Sequence, residues 1–408
     1  YWNHAGDRNT SIGAESGYSL NVADGTGDCT FVGYRAGYDV TGIHNTHIGS
    51  QAGKVGGAHT CNTSLGSHAM HSTGAGSYNV AVGTYALYTN ATGAYNTALG
   101  YEALKVSTAS SNTAVGHQAG SSIVAGDLNV AVGKGALYSN KNSDRNTAIG
   151  HNALTTYNPS GDANEDGYNT AVGLNALATD TVGKYNTALG GLAGAGITEG
   201  DNNVAVGAFA LDADLGTGGQ NIGIGYAALT DNTSGTNNIA IGYGACHENL
   251  TANNNVGIGH QALYTNVDGT ANTAVGYGAL YTMDPSGAAA TYNVAMGYNA
   301  GYAVSTGINN VLIGSLAGDA INTGSQNTAL GYGALGSQTS NGASTAIGYI
   351  AAANNTAANI TAVGSHCMAS QVGGSGNSAF GHAALYSCAE NDRNTAIGYA
   401  SLYSYVEA

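Results

Sequence analysis

Asn272-Thr-Ala-Val-Gly-Tyr-Gly-Ala-Leu-Tyr-Thr282 is one copy of a unit that recurs from Asn9 to Asn394. By position, the unit is Asn; Thr, Val or Ile; Ala; Val, Ile or Leu; Gly; two variable residues; Ala; and Leu or Gly. A polar stretch that often carries Thr-Gly or Ser-Gly completes it. Twenty-three copies follow one another, with fifth-position glycines at Gly13, Gly33, Gly49, Gly66, Gly83, Gly100 and onward to Gly398. Most steps between these glycines are 17 residues; longer ones of 20, 23 and 21 lead to Gly33, Gly173 and Gly297. The period is too short for helix-pair repeats, which need more than about thirty residues. Gly and Asn inside every unit also disfavour helix. Two short strands and two turns fit. The spacing therefore predicts an all-β fold, a parallel β-solenoid (β-roll) of about 23 rungs with a 17-residue repeat. At a strand spacing of about 4.8 Å such a stack is on the order of 110 Å long. One solenoid domain over 1–408 is expected, with irregular first rungs at 1–61 and loop insertions at about 155–168 and 281–292.

Composition agrees. Gly is 65 of 408 residues and Pro only 2, which excludes collagen and proline-rich linkers. With 43% apolar and 8% charged residues, the chain is the reverse of a disordered one. Its apolar runs are too short to insert in a membrane. Nine basic against 24 acidic residues, a net charge of −15, leave nothing to neutralise a phosphate backbone, so nucleic acid is not an expected partner. Five cysteines without CxxC spacing make neither a disulfide framework nor a zinc site. The chain starts at Tyr1 with no signal-like segment, as a processed or excised piece would.

Strand alternation assigns positions 2, 4 and 6 to one face and positions 1, 3 and 5 to the other. Position 4 is apolar throughout, as in Ile12, Val82, Leu99, Ile149, Ile241, Met296 and Phe380, and position 2 is β-branched in nearly every copy. That face is expected to be the core. Position 3, which is Ala, Gly or Ser except at Phe31, His47 and Leu312, and position 8, almost always Ala, then form an outer stripe of small residues along which another backbone can approach. A rung this small encloses little apolar volume, so a lone solenoid is marginal. Packing along the small stripe then implies a parallel homotrimer. The invariant glycine at position 5 implies a positive φ or a contact that excludes a Cβ. The asparagines at position 1 are expected to stack their amides in a ladder.

The run Asn394-Thr-Ala-Ile-Gly-Tyr399 resembles the head repeats of trimeric autotransporter adhesins, in which Ser-Val-Ala-Ile-Gly recurs in a trimeric β-roll. The fuller unit at Asn272 is even more similar to shaft repeats of phage tail-fibre proteins. The resemblance covers about 390 residues and implies a fibre, viral or cellular. The 17-residue period and the frequent Leu at position 9 depart from the adhesin pattern.

Candidate sites fall on the irregular places. Pro159 and Pro285 both stand at position 14 of their units, so both loops leave one edge. After Pro159 comes Asp162-Ala-Asn164-Glu-Asp166-Gly, the start of a calcium loop, although the twelfth place, which should be Glu, is Gly173. Asp162, Asn164 and Asp166 are the candidate calcium ligands, with a plain acidic turn as the alternative. Position 6 carries Tyr226, Tyr243, Tyr277, Tyr298, Tyr332 and Tyr349, together with His117, His151, His260 and His382. A tyrosine offers a flat apolar face and a polar tip, so these six are candidates for contact with host-surface glycans or a receptor; self-stacking is the alternative. His44 with His47, and His68 with His71, lack further ligands and read as surface histidines. Gly223-Ile-Gly-Tyr-Ala-Ala228 matches a dinucleotide loop only because it is the ordinary repeat. Neither a nucleophile elbow nor an HExxH is present, and no enzyme is expected.

These observations imply a structural, extracellular fibre shaft of tail-fibre or surface-adhesin type, at a virion or cell surface, whose partner is itself. A subunit stacking head to tail into a filament is the alternative. An ice-binding solenoid is a third, disfavoured because position 4 is never Thr.

Overall fold

The computed structural model describes residues 4–159, 165–213, 216–285, 287, 290–388 and 392–405. They form an all-β parallel solenoid of about 22 turns with a spacing of about 17 residues, in two compact units, Tyr1–Asn202 and Asn203–Ala408. Among the described residues there is no helix. The unit quoted above supplies one three-residue strand per turn, positions 2 to 4, with eleven such strands described in the first unit and twelve in the second. Pairing is parallel and in register. Val82 lies beside Leu99 and Leu99 beside Val115 in the first unit; Ile224, Ile241 and Ile258 form a matching column in the second. The long step before Gly173 leaves the ladder intact, since Thr147–Ile149 pairs directly with Thr170–Val172.

The faces are the reverse of the expectation. Ala98, Ala103 and Leu104 are fully buried, as are their counterparts Ala274, Ala279 and Leu280, whereas Leu99, Ile149, Met296 and Phe380 stand in solvent. The core is therefore built from positions 1, 3, 8 and 9, and the apolar residues at positions 2 and 4 point outward. The reason is width. A Cβ placed on Gly223, at position 3, would lie 3.1 Å from the carbonyl oxygen of Ala228 and 3.3 Å from Leu211 Cγ. The backbone that approaches the small stripe is the opposite wall of the same coil, not another chain.

Within this narrow core, volume is conserved from place to place. Where position 9 is Leu, position 12 is often a buried amide or acid, as in Leu87 with Asn90, Leu137 with Asn140, and Leu177 with Asp180. Where position 9 is Gly, position 12 is aliphatic and fills the gap, except at Gly53, where position 12 is Gly56 and the His47 ring fills it instead. A Cβ on Gly120 would meet Ile123 Cδ1 at 2.9 Å, and one on Gly318 would meet Ile321 Cδ1 at 2.8 Å. Large residues at position 3 obey the same rule: Phe31 packs against Gly17 and Gly37, and Leu312 against Gly301 and Gly318. The pattern gives a test by double-mutant cycle. Gly120→Leu alone overpacks the rung and should cost about 1–3 kcal/mol. Adding Ile123→Asn recreates the Leu137/Asn140 arrangement and should recover most of the loss, measured by urea unfolding; simple additivity would refute volume exchange.

The backbone bends the chain back with residues in the left-handed region. In the rung from Asn255, these are Gln261 (φ 55), Leu263 (φ 53) and Ala271 (φ 61), with Gly259 at φ 135. Each non-glycine residue there costs about 1–2 kcal/mol. The alternation lets one corner bond in both directions. Gly259 and Gln261 donate their N–H groups to Ile241 and Tyr243 of the preceding rung, at 2.7 and 2.9 Å. Leu263 and Thr265 donate to Ala279 and Tyr281 of the following one, at 3.0 and 3.1 Å.

The asparagine ladder is present, with a different wiring from simple amide stacking. Each buried position-1 side chain accepts the backbone N–H of its successor through Oδ1. Asn238 donates to Asn221, Asn255 to Asn238 and Asn272 to Asn255, at 3.0, 3.0 and 2.9 Å. The Nδ2 of Asn255 reaches the carbonyl of Gly269, closing the far turn at 2.8 Å.

Candidate functional site

Three features distinguish the surface, and all follow from the repeat. The first is the outward strand face. Over Val204–Ile313 in the second unit, positions 2 and 4 are aliphatic in almost every rung: Val204 and Val206, Ile222 and Ile224, Ile239 and Ile241, Val256 and Ile258. Exposures of 36% at each of Ile224, Ile241 and Ile258 place this column at the protein surface. No charged residue stands at positions 2 or 4 of these rungs. In the first unit position 2 is mostly Thr, as at Thr97, Thr113 and Thr147.

The second feature is a pair of ring columns, at positions 6 and 10. Tyr226, Tyr243, His260, Tyr277 and Tyr298 stack with centroids 5.0–5.4 Å apart and planes within 16°. Tyr332 and Tyr349 form a second stack at 5.5 Å. All six tyrosines singled out from sequence are thus surface residues brought into columns. Within each stack the flat faces are occupied by one another, so that solvent meets mainly ring edges and hydroxyls; the two stacks are interrupted at Ser315, between Tyr298 and Tyr332. The parallel column at position 10 is His247, Tyr264, Tyr281 and Tyr302, at 4.9–5.2 Å.

The third feature is a cavity of about 380 Å³ between these columns, where the second one stops. Phe209, Asp212, Tyr226, Thr230, His247 and Gln261 line it. Burial, and then the nearby Asp231 carboxylate, raise the Asp212 pKa above the ordinary carboxylate value. The buried Nδ1 of His247 lies 3.6 Å from Asp231 Oδ2 and has no hydrogen-bond partner.

Of the candidate calcium ligands, Asp162 and Asn164 lie outside the described residues. Asp166 is ion-paired with Arg145, whose guanidinium sits 5.5 Å over the Tyr168 ring, and neighbouring Glu165 is paired with Lys184. Among the described residues, no group of three or more His, Cys, Asp or Glu side chains is placed to hold a metal ion. His47 is a correction: it is fully buried, packed where Gly53 leaves room, and burial lowers its pKa to about 3. Composition gave no warning, because a histidine replaces the usual Ala at position 3. Asp180 is the opposite case, a buried carboxyl in an asparagine place. Burial pushes its pKa up to about 8, so at neutral pH it is the uncharged acid, accepting from the Gly183 N–H at 2.8 Å.

No protein-family model matches the chain, and no curated protein matches it. Function therefore has to be read from these surfaces.

Proposed function

We propose that this chain is a non-enzymatic, extracellular structural shaft, of the kind used in tail fibres and surface adhesins, that associates with parallel copies of itself as a homotrimer. The observation that carries the reading is the outward aliphatic face of Val204–Ile313. Seven rungs at about 4.8 Å, each presenting about 10 Å of strand, amount to roughly 340 Å². That is already the size of the largest apolar patch on an ordinary monomer, about 300–600 Å². The flanking tyrosine column extends it toward the ~800 Å² per partner of a stable interface. Periodicity selects the occupant: only a body with the same axial repeat meets every rung alike, and a second copy has that repeat by construction. A three-fold axis closes such a face without leaving an open edge.

The test is sedimentation of the full chain beside Ile241→Lys/Ile258→Lys. The wild type should sediment as a trimer at micromolar concentration and the variant as a folded monomer. A monomeric wild type, or a variant that stays trimeric, overturns the reading. Open-ended filaments in electron micrographs would favour head-to-tail stacking instead.

A further inference from the structure

A stacked column protects every ring face except those at its two ends. His247 ends the position-10 column: Tyr264 covers one face at 4.9 Å, and the preceding places hold Thr230 and Asp212, which carry no ring. The uncovered face borders the cavity of about 380 Å³, within the roughly 300–1,000 Å³ of small-molecule sites. The cavity is thus the seat of one missing ring.

Its chemistry is mixed. One wall is the imidazole face, and another is formed by the edges of Phe209 and Tyr226, which meet at 5.6 Å and 69°. Around the rim stand two polar side chains, the Asp212 carboxyl and the Gln261 amide. Thr230 contributes little, since its hydroxyl already donates to the Phe209 carbonyl at 3.1 Å. A ligand for this seat is a disc of six-membered-ring size, apolar on its faces and hydroxylated at its edge. It carries no negative charge, because the site and the chain are acidic.

We propose that this cavity binds one neutral pyranose residue of a glycan. The sugar's C–H face lies on the free face of His247, so that it completes the column, and its edge hydroxyls donate to Asp212 and accept from Gln261. A second, smaller cavity of about 240 Å³, at His366, His382, Tyr386 and Tyr399, lies between later stacks at the same two repeat positions, His382 with Tyr399 and Tyr386 with Tyr403, but has no carboxylate in its lining, and so makes an internal comparison.

The experiment is saturation-transfer NMR and calorimetry on the full chain, with the methyl glycosides of glucose, galactose and mannose as probes and N-acetylneuraminic acid as the charged counterpart. At least one neutral glycoside should bind with a millimolar dissociation constant, and the anionic sugar should not bind. His247→Ala should weaken binding at least tenfold, and Tyr386→Ala should leave it unchanged. Thr230→Tyr supplies the missing ring from the protein, so it should abolish binding while the circular dichroism and unfolding midpoint stay at or above wild type. Absence of transfer to all three neutral glycosides, full binding by Thr230→Tyr, or equal binding of the sialic acid would each overturn the proposal. None of these outcomes depends on the oligomeric state, so the site and the shaft reading fail separately.

Discussion

Gly242→Ala is expected to unfold the second unit or shift its unfolding midpoint by many degrees. Two independent costs coincide at this residue. Its φ of +135° lies in a region that L residues rarely adopt, and an added Cβ would sit 2.4 Å from the Gly259 carbonyl oxygen. Backbone strain of this kind costs about 1–3 kcal/mol. The collision is with main chain, so it cannot be relieved by turning a side chain, and the following rung would have to move away. The same approach recurs one rung on, where a Cβ built on Gly259 would sit 2.4 Å from the Gly276 carbonyl oxygen. A displacement at one rung is therefore passed to the next. Gly191→Ala is the matched control, since its Cβ would meet nothing within 4 Å. Denaturant unfolding should show a loss above about 3 kcal/mol for the first and within about 0.5 kcal/mol for the second. Similar values for the two variants would mean that the close approach is not what selects glycine.

Asn255→Ala should also be damaging, for a different reason. The substitution removes the acceptor of the Asn272 N–H and one of the two donors to the Gly269 carbonyl, which keeps the Asn266 Nδ2 at 2.8 Å. The buried Asn272 N–H left without an acceptor costs about 1–3 kcal/mol. Asn255→Asp keeps the acceptor and separates the two contributions. Burial raised the Asp180 pKa to about 8, and the same environment should raise the introduced carboxyl. Its folded pKa then lies above the unfolded value of about 3.9, so the protonated form is the one compatible with folding. Stability should be greatest near pH 4 and fall as pH rises toward 8, where the unfolded chain releases the proton more readily. A pH-independent Asn255→Asp would argue that water reaches the ladder.

The repeat period made the stacking legible, because register follows directly from it: Val82, Leu99 and Val115 do lie in one column. The side to which that column points was not. Val, Ile and Leu outweigh Ala on any transfer scale, so burying positions 2 and 4 looks favourable when only apolar area is counted. Coil width decides otherwise, since the facing positions 3 and 8 are close enough to hold little beyond Ala and Gly, and most of the larger buried Leu side chains stand at position 9. The signal was available in the parity shared by Asn at position 1, Ala at position 3 and Gly at position 5, and in the exchange of Leu with Gly at position 9. The left-handed residues were hidden for another reason. Leu263 and Gln261 have no propensity for positive φ, and they hold it because the rungs on either side accept the hydrogen bonds. The tyrosines were visible as a ladder, yet the His247 cavity was not, because it depends on a ring that is absent at Thr230.

The ladder of asparagines also has a direction. In Asn221, Asn238, Asn255 and Asn272 the later residue always donates its N–H to the carboxamide oxygen of the earlier one. A chain emerging from the ribosome therefore presents each fresh segment with an acceptor already in place on the segment made just before it. Growth of the coil can keep pace with translation, in the order of synthesis, without waiting for distant parts of the polypeptide to find each other.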